Sequence, residues 1–78
     1  MNKCRIVIDN NILEGKPIIK GTRISVELII ELLAGGMTIR EILKEYSHLT
    51  KEDVLAALEY AARTLKSEEI IIDQRNAA

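Results

Sequence analysis

Side chains suited to catalysis are scarce in this 78-residue chain, which contains one cysteine, Cys4, and one histidine, His48. Cys4 has no second cysteine or partner base near it in sequence, so a structural or incidental role is predicted. His48 follows Ser47, with Glu45 nearby, but adjacency in sequence does not create a proton relay, and a solvent-facing or capping histidine at a turn is favoured. One histidine and one cysteine also cannot supply a Cys/His zinc site. We therefore predict no catalytic residue, metal ligand, cofactor or small-molecule substrate.

The stretch EGKPIIKGTRISV, residues 14–26, is the best candidate for a phosphate-binding loop. Such a loop needs a glycine, four residues and then Gly-Lys-Ser/Thr, so that successive backbone amides surround a phosphate. Here Lys20 precedes the second glycine, and Pro17 stiffens the chain between the two glycines. A nucleotide loop is therefore rejected, and Gly15 and Gly21 are interpreted as turn residues.

Basic residues concentrate at the front of the chain. Residues 1–25 carry five basic and two acidic side chains, whereas the remainder carries six basic and ten acidic ones. A basic front segment can contact a DNA backbone or pack beside the acidic part of another chain, and ordinary solvated charge remains an equal alternative. The candidate DNA-binding residues are Lys16, Lys20, Arg23, Lys3 and Arg5.

The length predicts a single domain over residues 1–78. A domain this small buries a limited core, here built from Ile, Leu, Val and Ala because Trp and Phe are absent. With no internal disulfide and no metal expected, oligomerisation is the remaining source of stability, so a homodimer is predicted. No apolar run approaches the roughly 18 residues that span a bilayer, and the N-terminus lacks a signal peptide, so no membrane contact and a cytoplasmic location are expected.

Residues 1–25 are predicted to be β-rich, because RIVID alternates as a half-buried strand does and PIIK is extended after its proline. From residue 26 the period changes to that of a helix, with Ser25 as its N-cap and two glycines at its end. Leu28 and Leu32 widen its apolar stripe beyond what one core needs, which indicates a second contact. The candidate dimer or partner interface is Ile6, Ile8, Leu28 and Leu32.

Two further helices complete a three-helix core over residues 26–66. Thr38 and Glu41 form a capping box at the start of the second helix, and Thr50 caps the third. The third helix is predicted to bury Val54, Leu55, Leu58, Ala61, Ala62 and Leu65. Two helices joined by a tight turn form a helix-turn-helix arrangement, although Glu52 and Asp53 at the start of the third helix would repel phosphates. Residues 67–78, with the EEIIID segment, are interpreted as a short strand or a tail.

Residues 15–63 closely resemble domain of unknown function 433, a family of small prokaryotic proteins interpreted as antitoxins. The resemblance lies in Gly-Lys-Pro, in Gly-Thr-Arg-Ile, and in YSHLT followed by Glu-Asp-Val before an alanine-rich helix. Ser47 stands where the family usually has proline, which concerns the rigidity of that turn.

The resemblance implies a mainly α, homeodomain-like or winged-helix-like fold and a VapB-type antitoxin. Such a protein is expected to neutralise a PIN-like nuclease toxin and to bind operator DNA in addition. Two alternatives stay open, namely a helix-turn-helix transcriptional regulator without a toxin partner and a dimerisation module.

Overall fold

The computed structural model describes residues 5–67. These residues form two short strands, β1 (Ile6–Ile8) and β2 (Pro17–Ile19), followed by three helices, α1 (Val26–Ala34), α2 (Ile39–Glu45) and α3 (Lys51–Ser67). The predicted order of a short β region and then three helices is confirmed. The EEIIID segment, together with Lys3 and Cys4, lies outside the described residues.

The strands pair antiparallel, with Ile6 opposite Ile19 and Ile8 opposite Pro17. Their β-branched side chains suit a pleated, half-buried surface, and Pro17 begins its strand, where a missing amide hydrogen does least harm. The connection closes with a 3-10 turn (Leu13–Gly15) whose three residues all have positive φ, at 49°, 57° and 84°. A Cβ on Gly15 would lie 2.9 Å from the Asn10 side-chain oxygen, so the chain needs glycine there for both conformation and space.

Side-chain caps begin each helix, as the sequence predicts. The Ser25 hydroxyl accepts a hydrogen bond from the Leu28 amide at 2.9 Å at the start of α1. Thr38 and Glu41 make the reciprocal pair of a capping box on α2. Thr50 accepts from the Asp53 amide at 3.2 Å while the Asp53 carboxylate accepts from the Thr50 amide at 3.0 Å. These local contacts fix where each helix starts.

The core lies where α1 and α3 pack on each other and on the sheet, with α2 closing one side. Its members are aliphatic, in keeping with a chain without Trp or Phe. The buried cluster consists of Ile19, Ile24, Val26, Ile29, Ile42, Leu49, Val54 and Ala57.

The buried face of α3 differs from the prediction. Val54 is buried as expected, but Leu55, Leu58, Ala62 and Leu65 are exposed, and Ala56 and Ala57 are buried in their place. Alanines on the inner face let α3 approach α1 and the sheet closely, and this close packing turns the leucines outwards. The leucines on α3 are therefore a surface feature.

Candidate nucleic-acid and partner surfaces

The clearest candidate contact surface is the turn of residues 19–24, called here the 19–24 turn. The Thr22 amide and hydroxyl both donate to the Ile19 carbonyl, at 3.0 and 2.8 Å, and the Thr22 oxygen accepts from the Ile24 amide at 2.9 Å. Ile19 and Ile24 are themselves buried, so both ends of the turn are anchored in the core. Lys20 and Arg23 lie between these two anchors, and both are exposed.

Gly21 gives the 19–24 turn its shape. Its φ is +81°, while a Cβ at this position would meet no atom within 4 Å. The requirement for glycine is therefore conformational, since a φ near +80° is strained for residues with a side chain.

Two successive bonds connect the 19–24 turn to the start of α3. The Lys20 amide donates to the Arg5 carbonyl at 2.7 Å, and the Arg5 guanidinium donates to the Asp53 carboxylate at 2.9 Å. The Asp53 side chain is only 12% exposed. The backbone of the exposed Lys20 is thus linked through Arg5 to the first turn of the third helix.

Lys16 is also engaged with a carboxylate. Its ammonium group lies 3.0 Å from the Glu27 carboxylate, and both side chains are largely in solvent. The hydrogen bond to Glu27, reinforced by its charge, raises the pKa of Lys16. This pair ties the start of β2 to the first turn of α1.

The predicted DNA-binding residues therefore fall into three groups. Lys20 and Arg23 share the 19–24 turn and have no ion pair within residues 5–67. Arg5 and Lys16 are each paired with a carboxylate, and Lys3 lies outside the described residues. The assignment of DNA binding to these residues stays a prediction.

The predicted dimer residues lie in different environments. Ile6, Leu28 and Leu32 are partly buried and pack against the chain's own core, whereas Ile8 is 60% exposed. Of the four, Ile8 retains the most surface for another chain.

An open groove between α1 and the second half of α3 was not predicted from the sequence. Its volume is about 380 Å³, and it is called here the α1–α3 groove. Finding it requires knowledge of how the two helices pack, because no single helix carries its pattern. Its apolar lining includes Val26, Ile30, Tyr60, Ala61 and Leu65, and its polar edge includes Lys16, Glu27 and Glu31. Such a surface suits an apolar side chain flanked by a basic group.

The side chains considered for catalysis or metal binding are spread apart in the part of the chain that the structure describes. His48 is exposed in the turn between α2 and α3. No three His, Cys, Asp or Glu residues within 5–67 are grouped so as to hold a metal ion. No helix in the same range is both long and apolar enough to cross a membrane.

Comparison with known proteins gives one informative result. Neither the curated proteins nor the solved structures yield a match. A family model described as "Protein of unknown function (DUF433)" matches residues 6–61, a span that begins at β1 and ends within α3. It includes the 19–24 turn and most of the α1–α3 groove. This chain therefore belongs to the DUF433 family.

Proposed function

We propose that this protein is a non-enzymatic antitoxin that binds operator DNA, with α2 and α3 acting as a helix-turn-helix pair beside a basic turn. The observation that carries the DNA-binding part is the position of the 19–24 turn, which carries Arg23 and whose Lys20 is linked through Arg5 to Asp53 at the start of α3. In helix-turn-helix proteins the start of the second helix of the pair faces the DNA, and basic side chains beside it neutralise phosphates.

The acidic start of α3 is a smaller obstacle to this proposal than its sequence suggests. Asp53 is turned inwards, where it caps the helix and pairs with Arg5. Of the two carboxylates, only that of Glu52 is exposed, and it follows the exposed Lys51. The helix start therefore presents balanced charge rather than two negative charges.

Binding to the DNA upstream of the gene tests the proposal. Lys20→Gln and Arg23→Gln each remove one positive charge from the turn, and each should weaken binding on any sequence by several-fold. The matched control is Arg63→Gln, which also removes one positive charge. Arg63 lies about 15 Å from Asp53 along the axis of α3. Equal weakening in all three variants, or no binding by the wild type, would contradict the proposal.

The α1–α3 groove favours the toxin-neutralising part of the proposal. Its apolar floor and the exposed Glu31 carboxylate at its edge suit an apolar segment of a basic, RNA-handling partner such as a PIN-like nuclease, while Glu27 on the same edge is paired with Lys16. A regulator that binds DNA without a toxin partner would not need this groove.

Co-expression with the product of the neighbouring gene separates these two cases. Ile30→Lys, within the groove, should abolish co-purification and rescue of growth, whereas Ile8→Lys, the same change at the exposed end of β1, should leave both intact. Absence of any co-purifying protein with the wild type would remove the antitoxin part and leave the DNA-binding part standing.

A further inference from the structure

Helix α3 carries an apolar stripe that remains exposed within residues 5–67. Leu55, Leu58 and Leu65 are 40%, 38% and 65% exposed, and Ala62 is also exposed. These four residues, called here the α3 seam, are spaced by three, four and three positions. This is the spacing of the contact positions of two paired helices, and it places all four side chains on one side of α3.

The seam lies away from the residues that bind α3 to its own core. The inward face is formed by Asp53, Val54, Ala56 and Ala57, all of which are buried. Three exposed leucines and an exposed alanine in one row on the outer side are unfavourable for an isolated domain in water. We propose that the seam pairs with the same seam of a second copy of this chain, with the two α3 helices antiparallel.

Charge complementarity at the two ends of the seam favours the antiparallel arrangement. In this arrangement Leu55 lies opposite the partner's Leu65, and Leu58 lies opposite the partner's Ala62. The exposed Glu52 then lies at the edge of the seam, beside the partner's Lys66. Two-fold symmetry forms this ion pair twice.

The centre of the antiparallel pair brings Glu59 towards the partner's Glu59. Each Glu59 carboxylate lies 3.0 Å from the Arg63 guanidinium of its own chain, which offsets the repulsion between the two carboxylates. A parallel arrangement instead brings Val54 towards the partner's Glu59 and Ala61 towards the partner's Lys66, so it forms no flanking ion pair.

This pairing extends beyond the proposed function, because it requires neither DNA nor a toxin. The two surfaces share Leu65, which ends the seam and also lines the α1–α3 groove. The pairing also differs from the interface predicted from the sequence, since Leu28 and Leu32 pack against the chain's own core while the α3 leucines are exposed. Two paired helices of 17 residues bury a small area compared with the roughly 1,600 Å² buried in a standard interface. Association in the micromolar range is therefore expected.

Sedimentation equilibrium of the full chain between about 5 and 200 µM tests the pairing. The wild type should dimerise, and Leu58→Glu should raise the dissociation constant by more than about 100-fold, because it places two charges in an apolar seam. Ile8→Glu introduces the same charge on β1 and should leave the dimer intact. A monomeric wild type, a dimeric Leu58→Glu variant, or loss of the dimer in Ile8→Glu alone would each overturn the proposal.

Exchange of the two flanking charges tests the orientation without disturbing the seam. Glu52→Lys and Lys66→Glu should each weaken the dimer on the order of tenfold, and the double variant should recover the wild-type dissociation constant. Both side chains are exposed, so folding is retained in all three proteins, which circular dichroism would verify. Additive weakening in the double variant would overturn the antiparallel arrangement.

Discussion

Arg5 donates a 2.9 Å hydrogen bond to Asp53, a residue 48 positions later in the chain. Arg5 directly precedes β1, and Asp53 lies in the first turn of α3, so this contact joins the sheet to the third helix. The same aspartate also accepts from the Thr50 amide at 3.0 Å. One partly buried carboxylate thus starts α3 and ties it to the residue that precedes β1, whose carbonyl also accepts from the Lys20 amide.

Replacement of Asp53 should destabilise the fold. Asp53→Asn retains a hydrogen-bond acceptor but removes the charge opposite Arg5, and the expected cost in the free energy of unfolding is about 1–3 kcal/mol. The control Glu45→Gln removes one charge from an exposed site on α2 and should change that free energy by less than about 0.5 kcal/mol. Urea unfolding monitored by circular dichroism measures both, and equal effects would argue against a structural role for the Arg5–Asp53 pair.

The Lys16–Glu27 pair predicts a stability difference at high pH. Glu27 raises the pKa of Lys16 above its ordinary value of 10.5. A pKa raised by folding contributes stability that is fully present below pH 10.5 and is lost as the pH rises through the folded-state value. The difference in unfolding free energy between wild type and Lys16→Met should therefore shrink above pH 10.5.

Lys44→Met serves as the control for this pH effect, because Lys44 has no ion pair within residues 5–67. Urea unfolding of the three proteins at pH 9 and above pH 11 gives the comparison. For Lys44→Met, the difference in unfolding free energy from wild type should stay constant over this range. If the difference for Lys16→Met also stays constant, the Lys16–Glu27 pair has no effect on stability.

Thr22→Val should weaken DNA binding without any change in net charge. The Thr22 hydroxyl donates to the Ile19 carbonyl and accepts from the Ile24 amide, so its removal frees the 19–24 turn and costs about 1–2 kcal/mol of stability. Lys20 and Arg23 then lose their fixed positions. Thr64→Val, which removes a hydroxyl bonded to the Tyr60 carbonyl within α3, should leave affinity unchanged in a fluorescence anisotropy titration. Equal affinities of the two variants would contradict a positioning role for Thr22.

Gly15→Ala should destabilise the domain more than Gly21→Ala. Both glycines have a φ above +80°, which costs about 1 kcal/mol for alanine. At Gly15 the new Cβ would also meet the Asn10 oxygen at 2.9 Å, whereas at Gly21 no atom lies within 4 Å. Adding Asn10→Ala to Gly15→Ala should recover only the steric part in thermal unfolding. Full recovery would show that the backbone conformation carries no cost.

The features that the sequence predicts correctly are local. Ser25, Thr38 and Thr50 each lie within three residues of the amide that they cap, so their roles follow from short spacings. The change from an alternating pattern to a helical one near Ser25 is local in the same sense. These signals suffice for the order of the elements and for the start of each helix.

The features that the sequence does not predict depend on tertiary packing. Residues 54–58 of α3 are all apolar, so periodicity alone could not decide whether Leu55 and Leu58 or Ala56 and Ala57 face the core. The choice follows from how closely α1 and the sheet approach α3. The α1–α3 groove and the Arg5–Asp53 pair likewise join residues that are distant in sequence, so no local sequence pattern predicts them.

The salt dependence of binding to the upstream DNA tests the proposed DNA-binding function most directly. In a plot of log affinity against log salt concentration, the wild type should show a steep line. The Lys20→Gln/Arg23→Gln double variant should show a slope shallower by about 1 for each phosphate that it no longer neutralises. The Arg63→Gln control should retain the wild-type slope. A double variant with the wild-type slope, or a wild type that fails to bind this DNA at low salt, would contradict the proposal that the 19–24 turn binds DNA.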